Sequence, residues 1–518
     1  MVHCVIRRAS LIAAIGFFSA CATAPGTSGP EQRTEQTASR ADQLLLLNRI
    51  TWGANTSTAR EFAEEGAARY LDRQLQPRPQ NSLPPEVQSR IDSMTISQHP
   101  AVALAIELEQ RRKGAESIAG VEEKKAAQQA YQEELSRLGR EAAARSLLRA
   151  LYSPQQLREQ MTWFWMNHFS VHQYKANIRA LIGDYEESAI RPHVLGRFRD
   201  LLGSTARHPA MLRYLDNEQN AAGRINENYA RELMELHSLG VDGGYTQRDV
   251  QELARILTGF GVNIGADTPN VRPALRGQYM RDKLFEFNPN RHDYGDKFLL
   301  GQKIEGRGAA ELDEALDRLA RHPATARFVC RKLAVFLVSD EPPAQLVERM
   351  TGTFLATDGN IASTLRTMFA SHEFKRSLGG KFKDPVHYVI SAVRLAYDDK
   401  VILNVGPALN WLNRMGEPLY GRPTPDGYPM TRTEWASAGQ LATRFEIAKG
   451  LGYGSAGLFK GEGPKPAERA AFPQLANALY YDSLQKILSD PTRQALDRAA
   501  SPQEWNMLLL ASPEFMNR

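Results

Sequence analysis

The chain predicts a mainly α fold: a multi-helix globular body with a small antiparallel β-sheet insertion around residues 275–303. Three observations lead there. Apolar residues recur with helical period from about Thr58 onward, punctuated regularly by glycine and proline. From Ala101 to about Leu151 the chain lacks proline and is rich in Ala, Glu, Lys, Arg and Gln, residues that enter a helix at little entropic cost. Between Ala266 and Lys303 the pattern changes to short aromatic or apolar runs, Gln278-Tyr279-Met280, Leu284-Phe285-Glu286-Phe287 and Lys297-Phe298-Leu299-Leu300, broken by Asn288-Pro289-Asn290. Two or three strands are expected there.

Residues 1–20 read as a signal peptide of the lipoprotein type. Arg7 and Arg8 form a short basic region, and Leu11 to Phe18 is an apolar run too short to span a bilayer. Ser19 and Ala20 before Cys21 match a bacterial lipoprotein cleavage site, so Cys21 is the expected lipidation site. Two or more acyl chains would hold the protein on a membrane. The competing reading is an ordinary secretory signal with an incidental cysteine. Arg7-Arg8 also leaves the twin-arginine route open, although Ser10 stands where that signal usually carries a bulky apolar residue. Ala22 after Cys21 resembles sorting to the outer membrane.

Residues 21–40, rich in Thr, Ser, Gly, Pro and Gln, are expected to be a flexible tether, and 41–518 a single helical domain. Thr58 to Leu75 reads as helix, ended by the prolines between 77 and 85. Residues 101–150 read as a charged helical hairpin interrupted at Gly114 and Gly120, either a solvated pair packed by its Ala and Leu stripe or an arm for a partner. Helical patterns continue through Pro154–His172, Lys175–Leu202, Pro209–Leu215, Asn226–Leu239 and Thr246–Thr258. Thr246 and Asp249 have the spacing of a capping box. Helices resume from Ala309, interrupted by a proline- and glycine-rich loop from Glu417 to Pro429.

Without the signal the chain carries 62 basic and 59 acidic residues. That balance, with no basic stripe, excludes nucleic acid as a partner. Cys4 leaves with the signal and Cys21 would be acylated, so Cys330 remains alone and no intramolecular disulfide is expected. Cys330 lies in a helix-like run and reads as a small buried hydrophobe rather than a nucleophile.

Polar chemistry concentrates in three segments. In Asn226 to Gly240, residues Asn228, Glu232 and Glu235 fall on one helical face with Arg231 beside them and His237 near the edge. Two carboxylates one turn apart could divide acid and base roles if burial raised one pKa, or share a metal with histidines. Glu227, Arg231 and Glu235 could equally form a surface ion-pair ladder. In the second segment, Trp163 to His172, His168 and His172 are one turn apart, a spacing that suits a metal, but Phe169 stands where the zinc-protease motif needs Glu. Trp163 and Trp165 are either a stacking surface or core. The third, His292-Asp293-Tyr294-Gly295-Asp296-Lys297, is a polar loop.

Leu47-Asn48-Arg49-Ile50-Thr51-Trp52-Gly53, Trp165-Met166-Asn167-His168-Phe169, His208 to Asp216, Asn226 to Gly240 with Tyr245-Thr246-Gln247, the loop from His292 to Lys297 and Ala511-Ser512-Pro513-Glu514-Phe515 occur in register from about Leu44 to Arg518. Together they resemble the bacterial family called domain of unknown function 1800. Gly421-Arg422-Pro423 departs from a double proline in that pattern, and Glu107 to Arg145 carries no motif of it. The resemblance implies an exported, mainly helical protein, often found beside an exported family resembling sulfatases and phosphatases, with no assigned reaction. Its motif positions here are Asn167, His168, Asn228, Arg231, Glu232, Glu235, His237, His292, Asp293 and Lys297.

The functional expectation is an outer-membrane lipoprotein of the cell envelope, held by its lipid anchor and facing periplasm or cell surface, whose polar cleft hydrolyses envelope or extracellular glycan. Glu232 and Glu235 are the expected acid and base, with Asp293 as the alternative second carboxylate. Trp163, Trp165, Asn167, His168, Asn228, Arg231, His292 and Lys297 are the expected substrate-binding residues. Two other readings stand beside it. One is a metal-dependent enzyme drawing on His168, His172, His237 or His292 with the glutamates; no metal or cofactor is fixed by the sequence. The other is a non-catalytic scaffold for assembling or exporting a surface polymer or partner protein.

Overall fold

A computed structural model describes residues 39–76, 83–265, 268–461 and 469–518. The expected signal peptide, Cys21 and nearly all of the expected tether lie outside these residues. Ser39 to Arg518 forms one compact unit. It is mainly α, as expected, with two small antiparallel sheets.

The first helix, Arg40–Ile50, starts inside the span read as tether. Ser39 and Asp42 form a capping box that satisfies free amides of its first turn. The charged hairpin is present as Ala101–Ser117 and Val121–Tyr152. Gly114 continues the first helix rather than breaking it; the break falls at Ile118 to Gly120. Glu107–Arg111, Glu109–Arg112 and Glu134–Arg137 pairs stud its surface. Leu104, Leu108, Tyr131, Leu135 and Leu138 form a small core of its own against Ala180.

Two helices run through the main core. In Gln156–His168 every residue except Arg158 and Trp163 is buried, and in Pro385–Tyr397 all are. A helix buried all round must pair its polar side chains internally. Glu159 therefore meets Arg191 at 2.5 Å, and Arg394 donates to the Gly53 carbonyl at 2.9 Å. Gly53 is required here: with φ of 120° its missing Cβ would lie 2.5 Å from the Ser391 Cβ, so the Trp52-Gly53 turn seats directly on the second helix.

The expected insertion exists but is divided. β1 (Phe260–Val262), β2 (Met280–Asp282) and β3 (Phe285–Phe287) form a sheet of order β1-β3-β2, in which Phe260 and Met280 both oppose Phe287. β4 (Lys297–Leu299) and β5 (Gln302–Ile304) form a separate hairpin. Its turn residues Leu300 and Gly301 have φ of 53° and 75°, the positive pair that matches strand twist. β1 lies before the expected window because three residues show no alternation to read. Residues expected to continue as helix also divide: 175–202 breaks into short turns before Phe198–Arg207. The Asn226–Leu239 expectation shortens to Asn228–Glu235.

Candidate active site

The Asn228–Glu235 helix starts where the Asn226 side chain accepts from the Asn228 amide at 3.0 Å. Tyr229, Ala230, Leu233 and Met234 are buried and fix its orientation. Beyond Glu235 the chain opens into a wider turn: the His237 and Leu239 amides donate to the carbonyls of Glu232 and Met234, at 3.1 and 2.8 Å. It leaves at Gly240, φ 83°, where a Cβ would meet the Phe328 ring at 2.8 Å. The opposite face presents Asn228, Glu232 and Glu235 as the spacing predicted.

Half the expected ion-pair ladder forms. Arg231 donates to Glu227 at 3.1 Å and to Gln247 at 3.0 Å. Glu235 instead accepts from the Tyr245 hydroxyl at 3.4 Å. The Glu232 carboxylate makes no hydrogen bond or ion pair among the described residues. Burial raises its pKa, and the charges of Glu235 and Asp426 push the same way against Arg231.

Asp426 belongs to the loop from Glu417 to Met430, which sequence reading treated only as an interruption. Asn167 clasps this loop by its backbone: its side-chain amide donates to the Tyr428 carbonyl at 2.9 Å, and its side-chain oxygen accepts from the Tyr428 amide at 2.5 Å. Tyr214 holds the outer limb, its hydroxyl donating to the Pro423 carbonyl at 2.8 Å. Arg422 grips the Asp426 carboxylate at 2.8 and 3.2 Å, and Thr424 donates to it as well. Burial works against ionisation of Asp426, but these bonds prevail and keep its pKa below the usual carboxylate range. Two carboxylates within reach of each other's field are thus driven in opposite directions, the arrangement that separates an acid from a base.

The histidines lie behind this face. His168 and His237 are 1 % exposed, their ring centroids 6.3 Å apart, and His168 Nε2 lies 3.2 Å from the His237 carbonyl oxygen. Burial holds both imidazoles neutral, with the nearby Lys332 charge adding to the effect; His237 falls to about 3. They therefore lie in the core behind the carboxylate face and not on it. Lys332, hidden in a helix-like run with no sequence signal, has its own pKa lowered by burial to about 8, opposed by Asp426.

His292, Asp293 and Lys297, expected to join the same cleft, form a separate buried knot. His292 bridges the Thr258 carbonyl at 2.8 Å and Glu311 at 3.0 Å. Lys297 pairs with the other oxygen of Glu311 at 2.5 Å. Asp293 is locked by Arg255 at 2.9 and 3.1 Å, and that guanidinium lowers its pKa. Among the described residues none of the three forms a hydrogen bond or ion pair with the Asn228–Glu235 helix, and a carboxylate paired in this way is poorly placed to be the second acid. Glu311, which sequence reading missed, organises the knot and also accepts from the amides of Arg307 and Gly308 at 2.7 and 2.8 Å.

The tryptophans are packed. Trp165 is 0 % exposed, with Nε1 donating to the Val194 carbonyl at 3.1 Å, so it offers no stacking face. Trp163 stacks on Phe336 at 5.7 Å and meets Trp52 edge-on at 6.3 Å. With Asn167, Glu186, Glu417, Arg422 and Tyr428 it lines a crevice of about 40 Å³, room for one or two waters rather than a sugar. His172 lies against Tyr174 at 5.4 Å. Among the described residues no three His, Cys, Asp or Glu side chains converge as a metal-ligand set, so the candidate histidines do not fit a shared ion. Cys330 is buried and free, its thiol pushed up to about 12 by burial. This is the expected small core residue.

Fold and site together define a mainly helical protein whose carboxylate face is closed on one side by a clasped loop. A family described as "Protein of unknown function (DUF1800)" matches residues 45–517, and the chain belongs to that family. No curated protein and no solved structure matches.

Proposed function

We propose that this is an exported, lipid-anchored hydrolase acting on envelope or extracellular glycan, with Glu232 as general acid and Asp426 as its basic partner. The observation that carries the reading is the opposed environment of these two carboxylates: Glu232 is unpaired and raised, Asp426 is paired and lowered. Burial raises the Glu232 pKa, and the charge of Glu235 adds to the effect. Asp426 takes the place assigned to Asp293, which Arg255 occupies. Glycan as the substrate rests on the expected export signal and on the acid and base roles that glycoside hydrolysis requires.

The test is reducing-end release from purified cell-envelope glycan. Glu232→Gln and Asp426→Asn should each lower turnover by about 100-fold or more with melting temperature held. Activity should also decline as pH rises through the elevated Glu232 pKa. If Glu232→Gln turns over normally, the acid assignment is wrong. Acylation is tested separately, by an alkyne fatty-acid label that Cys21→Ser should abolish.

One observation favours the scaffold reading: the crevice lined by Asn167 and Tyr428 holds only about 40 Å³. On that reading Glu232→Gln is silent, and removing the hairpin tip, residues 113–125, abolishes the cellular phenotype.

A further inference from the structure

The surface where the chain enters its folded body combines apolar grooves, exposed aromatics and an unpaired arginine. Two open grooves of about 390 Å³ each flank the turn Tyr480–Leu484. One, on the side of Leu479 and Asp482, is floored by Leu44, Leu47 and Phe62 and rimmed by Arg40 and Arg60. Arg40 is neutralised by Asp482, whereas Arg60 makes no ion pair among the described residues. The other groove is lined by Phe472, Tyr481 and Trp505. Phe472 and Tyr481 are 37 % and 57 % exposed, an arrangement that leaves large apolar rings in water.

We infer that this surface lies against a phospholipid bilayer, its aromatic rings at the interfacial level and Arg60 among anionic headgroups. The occupant follows from connectivity, and in this respect the inference rests on the lipid-anchor reading. Residues 22–38 join Cys21 to Ser39, a span of at most about 60 Å at ~3.4 Å per residue. An acylated Cys21 would thus confine the body near the membrane. Arg40, the second residue of that body, is on this groove's rim. Tethering raises the local concentration of one surface for another, so a weak interfacial contact becomes populated. Aromatic rings and arginine are the side chains suited to that interface. Among the described residues no helix is long and apolar enough to cross a membrane, which leaves a peripheral contact as the mode available to them.

The test uses residues 22–518, which retain the whole compact unit without leader or acyl chains, in flotation with vesicles of phosphatidylethanolamine and phosphatidylglycerol. The protein should float, and Phe472→Ser/Tyr481→Ser should reduce partitioning at least about 10-fold, the loss expected from removing two inserted rings. Arg60→Glu should weaken binding to these vesicles but not to neutral phosphatidylcholine vesicles. Val121→Ser, at the hairpin tip and 78 % exposed, should change nothing. Failure to float, or equal flotation of the double variant, overturns the proposal. So does a dimer that the double variant abolishes, since the occupant is then a second copy. Fatty-acid labelling at Cys21 reads the anchor independently of all these outcomes.

Discussion

His237, a motif residue, and Glu311, which pairs with the motif residues His292 and Lys297, show how individual polar residues act through burial. His237 keeps its imidazole neutral in the core, its pKa lowered to about 3 by burial and then by Lys332. Between an unfolded pKa of about 6.5 and that value, the unfolded chain binds a proton that the folded chain refuses. Stability is therefore fully present above about pH 6.5 and falls with pH below it, by up to about 1.4 kcal/mol per unit for this residue. His237→Phe, which keeps the packing against Phe169, should shrink the difference in melting temperature between pH 7 and pH 5. Glu311 has the opposite chemistry. Burial alone would raise its pKa, but hydrogen bonds from His292 and Lys297 bring it below the ordinary value of 4.5, so its contribution holds above about pH 4.5 and is lost as pH falls below it. Glu311→Ala strands a buried lysine and should cost about 3–5 kcal/mol in a denaturant melt.

The loop from Glu417 to Met430 is the element on which the site depends. Gly427 has φ of 78°, and a Cβ there would lie 2.2 Å from the Asn167 carbonyl oxygen. Gly427→Ala should therefore unseat the loop, accelerate hydrogen exchange at the Tyr428 amide and abolish any Asp426-dependent turnover. The loop's other ties, Glu417 to the Val386 amide at 2.9 Å and Tyr420 to Glu186 at 2.6 Å, remain in the variant, so the melting temperature should move little. If instead the whole protein melts early, the loop is part of the cooperative core rather than a closure over the site. The knot around Glu311 provides the contrast: it joins β4 to the Ala310–Arg321 helix, and its polar residues act as a rivet between elements.

At the scale of the whole molecule, Arg49 ties the beginning of the body to its end. From the first helix it donates to the carbonyls of Leu337, Ser377 and Arg518 at 2.7, 2.6 and 2.6 Å. Arg518 in turn pairs its backbone with Lys381 at 2.8 and 3.2 Å and sends its guanidinium to the Phe336 carbonyl at 2.8 Å. Arg49→Ala leaves several buried carbonyls unpartnered and should cost at least about 3 kcal/mol, read as a fall in denaturation midpoint. A single transition is expected, because the main core runs from Leu44 to Met516.

The sequence by itself determined the mainly α class, the charged hairpin, the Thr246–Asp249 capping box, the buried cysteine and the family. These are written in local periodicity, turn chemistry and motif order. It also placed Asn228, Glu232 and Glu235 on one face, because helical geometry alone settles that. Tertiary structure alone decided which polar residues spend their charge on one another. Asp293 and Lys297 looked as free as Glu232 until Arg255 and Glu311 arrived from distant elements. Asp426 lay in a loop read only as an interruption between helices, and it is Asn167 that holds this loop by the Tyr428 backbone. The physical reason is that pairing and desolvation depend on distance through space and on exclusion of water, and neither quantity is carried by spacing along the chain.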